Sequence, residues 1–158
     1  MSVAVRSLLF TLLVPGTGAV VIPWWMISGN GLARAGLGWP GVILIVLGVG
    51  LYLWCLWLFA AVGGGTPGPW DAPRRVVAVG PYRWVRNPIY LAALTVVLGE
   101  AWLFGSTALL EYAAVMAVTI HLFVVGYEEP NLRSRFGTSY IGYADCIPRW
   151  VPRRPQRG

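Results

Sequence analysis

Four long stretches of the chain carry almost nothing but apolar side chains, and the polar residues collect between them. The first stretch runs from about Leu8 to Met26. Pro15, Gly16 and Gly18 interrupt it, which predicts a kinked helix, and Trp24-Trp25 fall where an aromatic belt meets the membrane surface. The second, Gly41 to Val62, holds no charge, and Pro40 suits its first helical position because the missing N–H costs nothing there. At about 1.5 Å per residue it covers a hydrocarbon layer roughly 30 Å thick. Gly63-Gly64-Gly65 stops it, and Thr66-Pro67-Gly68-Pro69 continues as loop. Ile89 to Phe104 and Thr107 to Gly126 form the third and fourth stretches, joined by Gly105-Ser106 alone, a link short enough to force an antiparallel helical hairpin. The third is short for a span and contains Glu100, so its neighbours are expected to shield it. The expectation is an all-α, polytopic membrane protein with about four transmembrane helices, a tight hairpin at the end and a short helical tail. One domain covers residues 1–158.

Composition agrees with that pattern. Hydrophobic residues make up 57% of the 158 and charged residues 11%, against about 25% charged in a soluble domain. A soluble fold of this size could not hide so much apolar surface. A cleaved signal peptide competes for the first stretch, since Arg6 precedes it and Ala33-Arg34-Ala35 has the small-x-small form. The apolar run exceeds the roughly 7–15 residues of a signal core, which favours a retained helix. Cys55 and Cys146 have neither metal spacing nor a disulfide framework.

The basic residues are twelve arginines and no lysine. They sit beside the apolar stretches, the pattern of membrane orientation and not of a nucleic-acid surface. With four spans, Arg6, Arg74, Arg75, Arg83, Arg86, Arg133, Arg135, Arg149, Arg153, Arg154 and Arg157 share one side, and Arg34 stands alone on the other. The rule that places basic loops inside makes the shared side cytoplasmic, with both termini there, in the plasma (inner) membrane.

Chemistry concentrates in two polar stretches, Gly80 to Tyr90 before the third span and Tyr127 to Pro152 after the fourth. A tight hairpin brings its open ends together, so Arg86-Asn87-Pro88 should lie near Glu128-Glu129. Asn87 followed by Pro88 reads as a helix N-cap, whose free N–H groups suit a carboxylate or phosphate. Arg83 and Arg86 add forked donors. Glu128 and Glu129 suit an ammonium or ribose hydroxyls, and Tyr82, Trp84, Tyr90, Tyr127 and Tyr140 offer faces for a cation or a purine. Those are the parts of S-adenosylmethionine, although a nucleotide shares most of them.

These residues resemble the membrane methyltransferases that include isoprenylcysteine carboxyl methyltransferases and phospholipid N-methyltransferases, over roughly Thr66 to Pro152. The pattern G-P-Y-R-x-x-R-[HN]-P-x-Y is met by Gly80, Pro81, Tyr82, Arg83, Arg86, Asn87, Pro88 and Tyr90. E-E-x-x-L-x-x-x-F-G-x-x-Y is met by Glu128, Glu129, Leu132, Phe136, Gly137 and Tyr140, and the closing Pro-Arg-x-x-Pro by Pro148, Arg149 and Pro152. The resemblance implies methyl transfer from S-adenosylmethionine, in a pocket at the hairpin ends closed by the tail, to a lipophilic acceptor entering from the bilayer. It carries over cofactor binding to Tyr82, Arg83, Arg86, Asn87, Pro88, Tyr90, Glu128, Glu129, Tyr140 and Arg149, with Arg86, Glu128 and Glu129 catalytic and no metal. Asn87 stands where the isoprenylcysteine branch has His, so a prenylcysteine acceptor does not follow.

Plainer readings stand beside these. Arg74, Arg75, Arg153, Arg154 and Arg157 suit headgroup anchors. His121, which also resembles the family pattern, suits packing or substrate contact equally. Glu100 suits a pair with Arg34 or a cavity wall, and Glu111 the opposite interface. The competing functions are an NADPH-dependent membrane reductase, suggested by the Arg-x-Pro-x-Tyr type of segment, and a non-catalytic lipid-binding membrane protein.

Overall fold

A computed structural model describes residues 3–29, 38–63 and 75–153. Arg34 with the Ala33–Ala35 site, the loop from Gly64 through Pro69, and Arg74, Arg154 and Arg157 lie outside the described residues. Among those described there are helices and no strands. Helix α1 comprises Val3–Thr11, a wide-turned π segment Leu12–Val21, and Ile22–Gly29. Helix α2 is Trp39–Leu58, continuing as Phe59–Gly63. After a short 3₁₀ turn at Gly80–Arg83 come α3, Pro88–Phe104, and α4, made of Thr107–Phe123, Val124–Glu128 and Glu129–Phe136. Helix α5, Thr138–Cys146, lies in the tail.

Three of these helices are long and apolar enough to cross a membrane, and α3 is a shorter apolar fourth. Their outer faces keep large apolar side chains exposed, Trp25, Val46, Trp57, Val115 and Leu122 among them. Only lipid satisfies such a surface. The chain is an integral membrane protein.

The interruption expected at Pro15 takes the form of a change of winding. Proline supplies no N–H, and the widened turns reroute the bonding around it, so that Ile22 N–H reaches back five residues to Thr17 O. The end expected for the fourth helix at Gly126 is corrected. There too the winding widens, with Glu129 N–H bonded to Val124 O, and the helix passes Pro130 without a break. Its 30 residues extend about 45 Å, roughly 15 Å more than a hydrocarbon layer needs. That excess is long enough for the last ten residues, which begin at Tyr127 and carry both glutamates, to project beyond the membrane.

The hairpin forms as its sequence dictates. Gly105 takes the left-handed conformation that ends α3 (φ 60°), and Ser106 Oγ accepts from Leu109 N–H to cap α4. The most extensive helix pairing, however, joins α2 to α3. A Cβ on Gly41 would stand 2.7 Å from Gly99 O, and one on Gly48 would stand 2.8 Å from Ala92 O. Backbones this close exchange the van der Waals contact that replaces the hydrophobic effect inside lipid. Helix α1 is tied on by polar side chains. Thr11 Oγ1 lies 2.7 Å from Tyr52 Oη of α2, and Tyr112 Oη donates to Gly18 O at 2.6 Å. At the far end Ile27, Ala101 and Leu109 pack together. The start of α1, the end of α2, the start of α3 and the projecting part of α4 thus share one end of the molecule.

Candidate active site

That shared end is built around one carboxylate. Glu129 accepts from Arg86 Nη1 at 3.0 Å and from Arg149 Nε and Nη2 at 2.6 and 2.9 Å. It is buried, and the hydrogen bonds from Arg149 hold its carboxyl below the usual carboxylate range. The three residues come from the loop before α3, the projecting part of α4 and the tail. The triad therefore joins segments far apart in sequence. The tail is fastened along its length, with Arg86 N–H donating to Pro148 O, Asn87 Nδ2 to Arg149 O, Trp150 Nε1 to His121 Nδ1, and Arg153 N–H to Trp84 O. Tyr143 Oη adds a bond to Tyr82 O. Residues 147–153 form a strap across the open end of the hairpin.

The same end of the molecule holds a cavity of about 480 Å³, within the range of small-molecule sites, which the tail reaches through Tyr140 and Tyr143 of α5. Glu128, Arg86, Asn87, Tyr90, Tyr127, Asn131 and Tyr140 supply its polar groups. Phe10, Val14, Phe59, Ile120 and Phe123 supply apolar walls. Glu128 accepts from Tyr90 Oη at 2.7 Å. Burial pushes its carboxyl above the usual range, against the opposing effect of that hydrogen bond. Burial also raises the Tyr140 and Tyr143 phenols, which stay neutral donors at physiological pH. Arg86 Nε is buried without a hydrogen-bond partner among the described residues.

The expected apposition of Arg86-Asn87-Pro88 with Glu128-Glu129 is present, but the residues divide by role. Arg86, Asn87, Tyr90, Glu128 and Tyr140 line the cavity, as does Tyr82, whose ring is packed among Cys55, Leu58 and Val77. Glu129 and Arg149 meet each other behind it. Arg83 and Pro88 face a different groove on the outer side. Asn87 does occupy the N-cap position with Pro88 as the first helical residue, as expected, but the capping bond expected of its side chain is corrected. Its side chain makes no cap bond and donates to the strap instead, because Arg149 O lies within its reach. Glu100 does not line this cavity, and its Oε2 is buried without a partner among the described residues. Glu111 is exposed.

Sequence reasoning missed Tyr143 and the walls contributed by α1 and by Thr119, Ile120 and Phe123. The helical spacing of 120, 123, 127, 128 and 131 on one face of α4 was the available signal. Among the described residues no cluster of His, Cys, Asp or Glu could hold a metal ion.

Neither a curated protein nor a solved structure matches the chain. A family model does match residues 38–139, from the start of α2 to the beginning of α5, and so covers the first polar stretch and the second as far as Ser139. The match takes in α2, α3 and α4 together with Arg86, Glu128 and Glu129, and on it the chain belongs to the phospholipid methyltransferase family.

Proposed function

We propose that this protein transfers a methyl group from S-adenosylmethionine to a lipid-like acceptor, in the cavity at the open end of the hairpin and at the cytoplasmic face. The observation that carries the reading is one cavity combining apolar walls on α1 and α4 with a carboxylate and a guanidinium at its polar end. Family membership supplies the reaction class, and the arginine asymmetry supplies the orientation.

The donor set suits the cofactor. Arg86, with its unpartnered Nε, is matched to a carboxylate, and Glu128 to an ammonium or ribose hydroxyls. Tyr127, Phe136 and Tyr140 offer aromatic faces to a purine or a sulfonium. When bound, S-adenosylmethionine supplies an electrophilic methyl group on a sulfonium. The protein's share is alignment and exclusion of water. Phe10, Val14, Ile120 and Phe123 form a dry wall along which an acyl or prenyl chain can lie, holding the acceptor's polar end toward Glu128. An amine or thiol acceptor must lose a proton, and Glu128, whose carboxyl burial makes more basic, can take it. A carboxylate acceptor needs no base. Glu129 touches neither ligand in this reading and fixes Arg86 and the strap.

The test is binding of radiolabelled S-adenosylmethionine to detergent-purified protein, with NADPH as competitor. Wild type should bind it without competition from NADPH, and Glu128→Gln should weaken binding by about 1–3 kcal/mol. Binding of NADPH instead overturns the reading. For the orientation, a reporter active only outside the cytoplasm, fused to the C-terminus, should stay silent; a strong signal reverses it.

A further inference from the structure

A second concavity lies on the opposite side of the Gly80–Val85 segment from the cavity. Its walls are Leu51 and Trp54 of α2, Leu91 of α3, Arg83 of the 3₁₀ turn with Trp84 just after it, and Pro152 of the strap. Gly80 is seated on α2, where a Cβ would come 2.8 Å from Leu58 Cδ1 and 3.4 Å from the Trp54 ring. The turn therefore forms a ledge over an apolar trough that descends along α2 and α3 into the bilayer. Arg83 is exposed on this ledge. Arg153 follows Pro152 at the rim of the groove, where its backbone N–H donates to Trp84 O at 3.0 Å, and its side chain is exposed. No hydrogen bond or ion pair engages either guanidinium among the described residues. One exposed guanidinium on the groove wall and a second rooted at its rim, with Trp54 and Trp84 flanking the trough, offer complementary charge to a phosphate and complementary surface to an acyl chain.

We propose that this groove is a binding site for one anionic phospholipid, its phosphate held by Arg83 and Arg153 and one acyl chain laid along Leu51, Trp54 and Leu91. The site is separate from the methyl-transfer cavity. Its two arginines come from different segments, so the lipid bridges the end of the strap to the ledge, beside the Arg153–Trp84 backbone bond. Arg149, four residues earlier, holds Glu129 from the inner side of the same strap. The groove thus fastens from outside what the triad fastens from inside.

The test counts phospholipids retained by the purified full-length protein in native mass spectrometry, titrated with phosphatidylglycerol or phosphatidylcholine. Wild type should retain one phosphatidylglycerol in preference to phosphatidylcholine, and glycerol phosphate should not displace it. Each arginine near a membrane surface contributes about fivefold, so Arg83→Gln/Arg153→Gln should bind phosphatidylglycerol about thirtyfold more weakly. Arg75→Gln/Arg133→Gln removes the same charge away from the groove and should retain the lipid. Filling the trough with Leu91→Trp should abolish retention while both arginines remain. Equal affinity for the two lipids, equal loss in the Arg75/Arg133 control, unchanged retention in the groove variants, or displacement by glycerol phosphate would each overturn the proposal.

Discussion

Changing Glu129 to Gln separates the two adjacent glutamates, and its cost follows from the geometry. Glu129 receives three charge-assisted hydrogen bonds, and its side chain is 7% exposed. Arg86 is 12% exposed and Arg149 31%. Removing one partner from a buried ion pair costs about 3–5 kcal/mol, because the remaining charge stays buried. Arg149 is exposed enough to regain some water, and Gln keeps one acceptor oxygen, which together bring the loss to about 2–3 kcal/mol. Glu128→Gln should cost less than about 1 kcal/mol, since Gln still accepts from Tyr90. Unfolding of both variants without ligand, followed in one detergent, reads the difference. The acid limb adds a signature. Glu129 binds its proton more weakly in the folded protein than in the unfolded one. Its stabilisation is therefore complete above about pH 4.3, the ordinary glutamate value, and is lost as pH falls below that through the lowered folded value. Wild type should lose stability across that acid window, and Glu129→Gln should lack this component. If Glu129→Gln unfolds like wild type at neutral pH, the triad does not hold the strap and the division of roles fails.

Two further outcomes follow from particular contacts. Asn87→Asp and Asn87→Ala should both loosen the strap by about 1 kcal/mol, since each removes the donor to Arg149 O; rescue by Asp alone in a thermal-unfolding comparison would restore the N-cap role. Gly99→Ala should destabilise by about 1–3 kcal/mol, because its Cβ would stand 2.8 Å from Gly41 O and 2.9 Å from Ile45 N, whereas Gly50→Ala has open space and should be neutral or better. Equal melting of the two glycine variants would sink the close-contact argument.

The hairpin and its polar end were legible in the chain. Gly105-Ser106 leaves no room for any other connection, and the run of apolar residues fixes where each helix can cross. Other features depend on facing, which spacing along one segment does not show. Glu128 and Glu129 are alike in sequence but about 100° apart around a helix, so one looks into the cavity and the other at two arginines. Arg83 and Arg86 looked equivalent, but the chain leaves its 3₁₀ turn between them, and only Arg86 lines the cavity. The close approach at Gly41, Gly48 and Gly99 emerges only when α2 and α3 are set in register. Asn87-Pro88 has the form of a helix cap, and only the arrival of a tail some sixty residues later redirects the amide. The continuation of α4 past Pro130 was hidden because a change of winding absorbs a proline that would break a regular helix.

The brevity of α3 also bears on the surrounding bilayer. Its 17 residues extend about 25 Å, roughly 5 Å less than an average hydrocarbon layer. Its far end is fixed to α4 by a two-residue link, and its length is locked against α2 by backbone contact, so the helix cannot slide to share the deficit. Hydrophobic mismatch of this kind is met by local thinning of the membrane or by neighbouring side chains reaching outward. Thinning of that kind falls around α3, whose first turn brings Tyr90 to the cavity wall. Lipids there ride lower than those farther away. A thin bilayer matches α3, and a thick one must be bent to meet it.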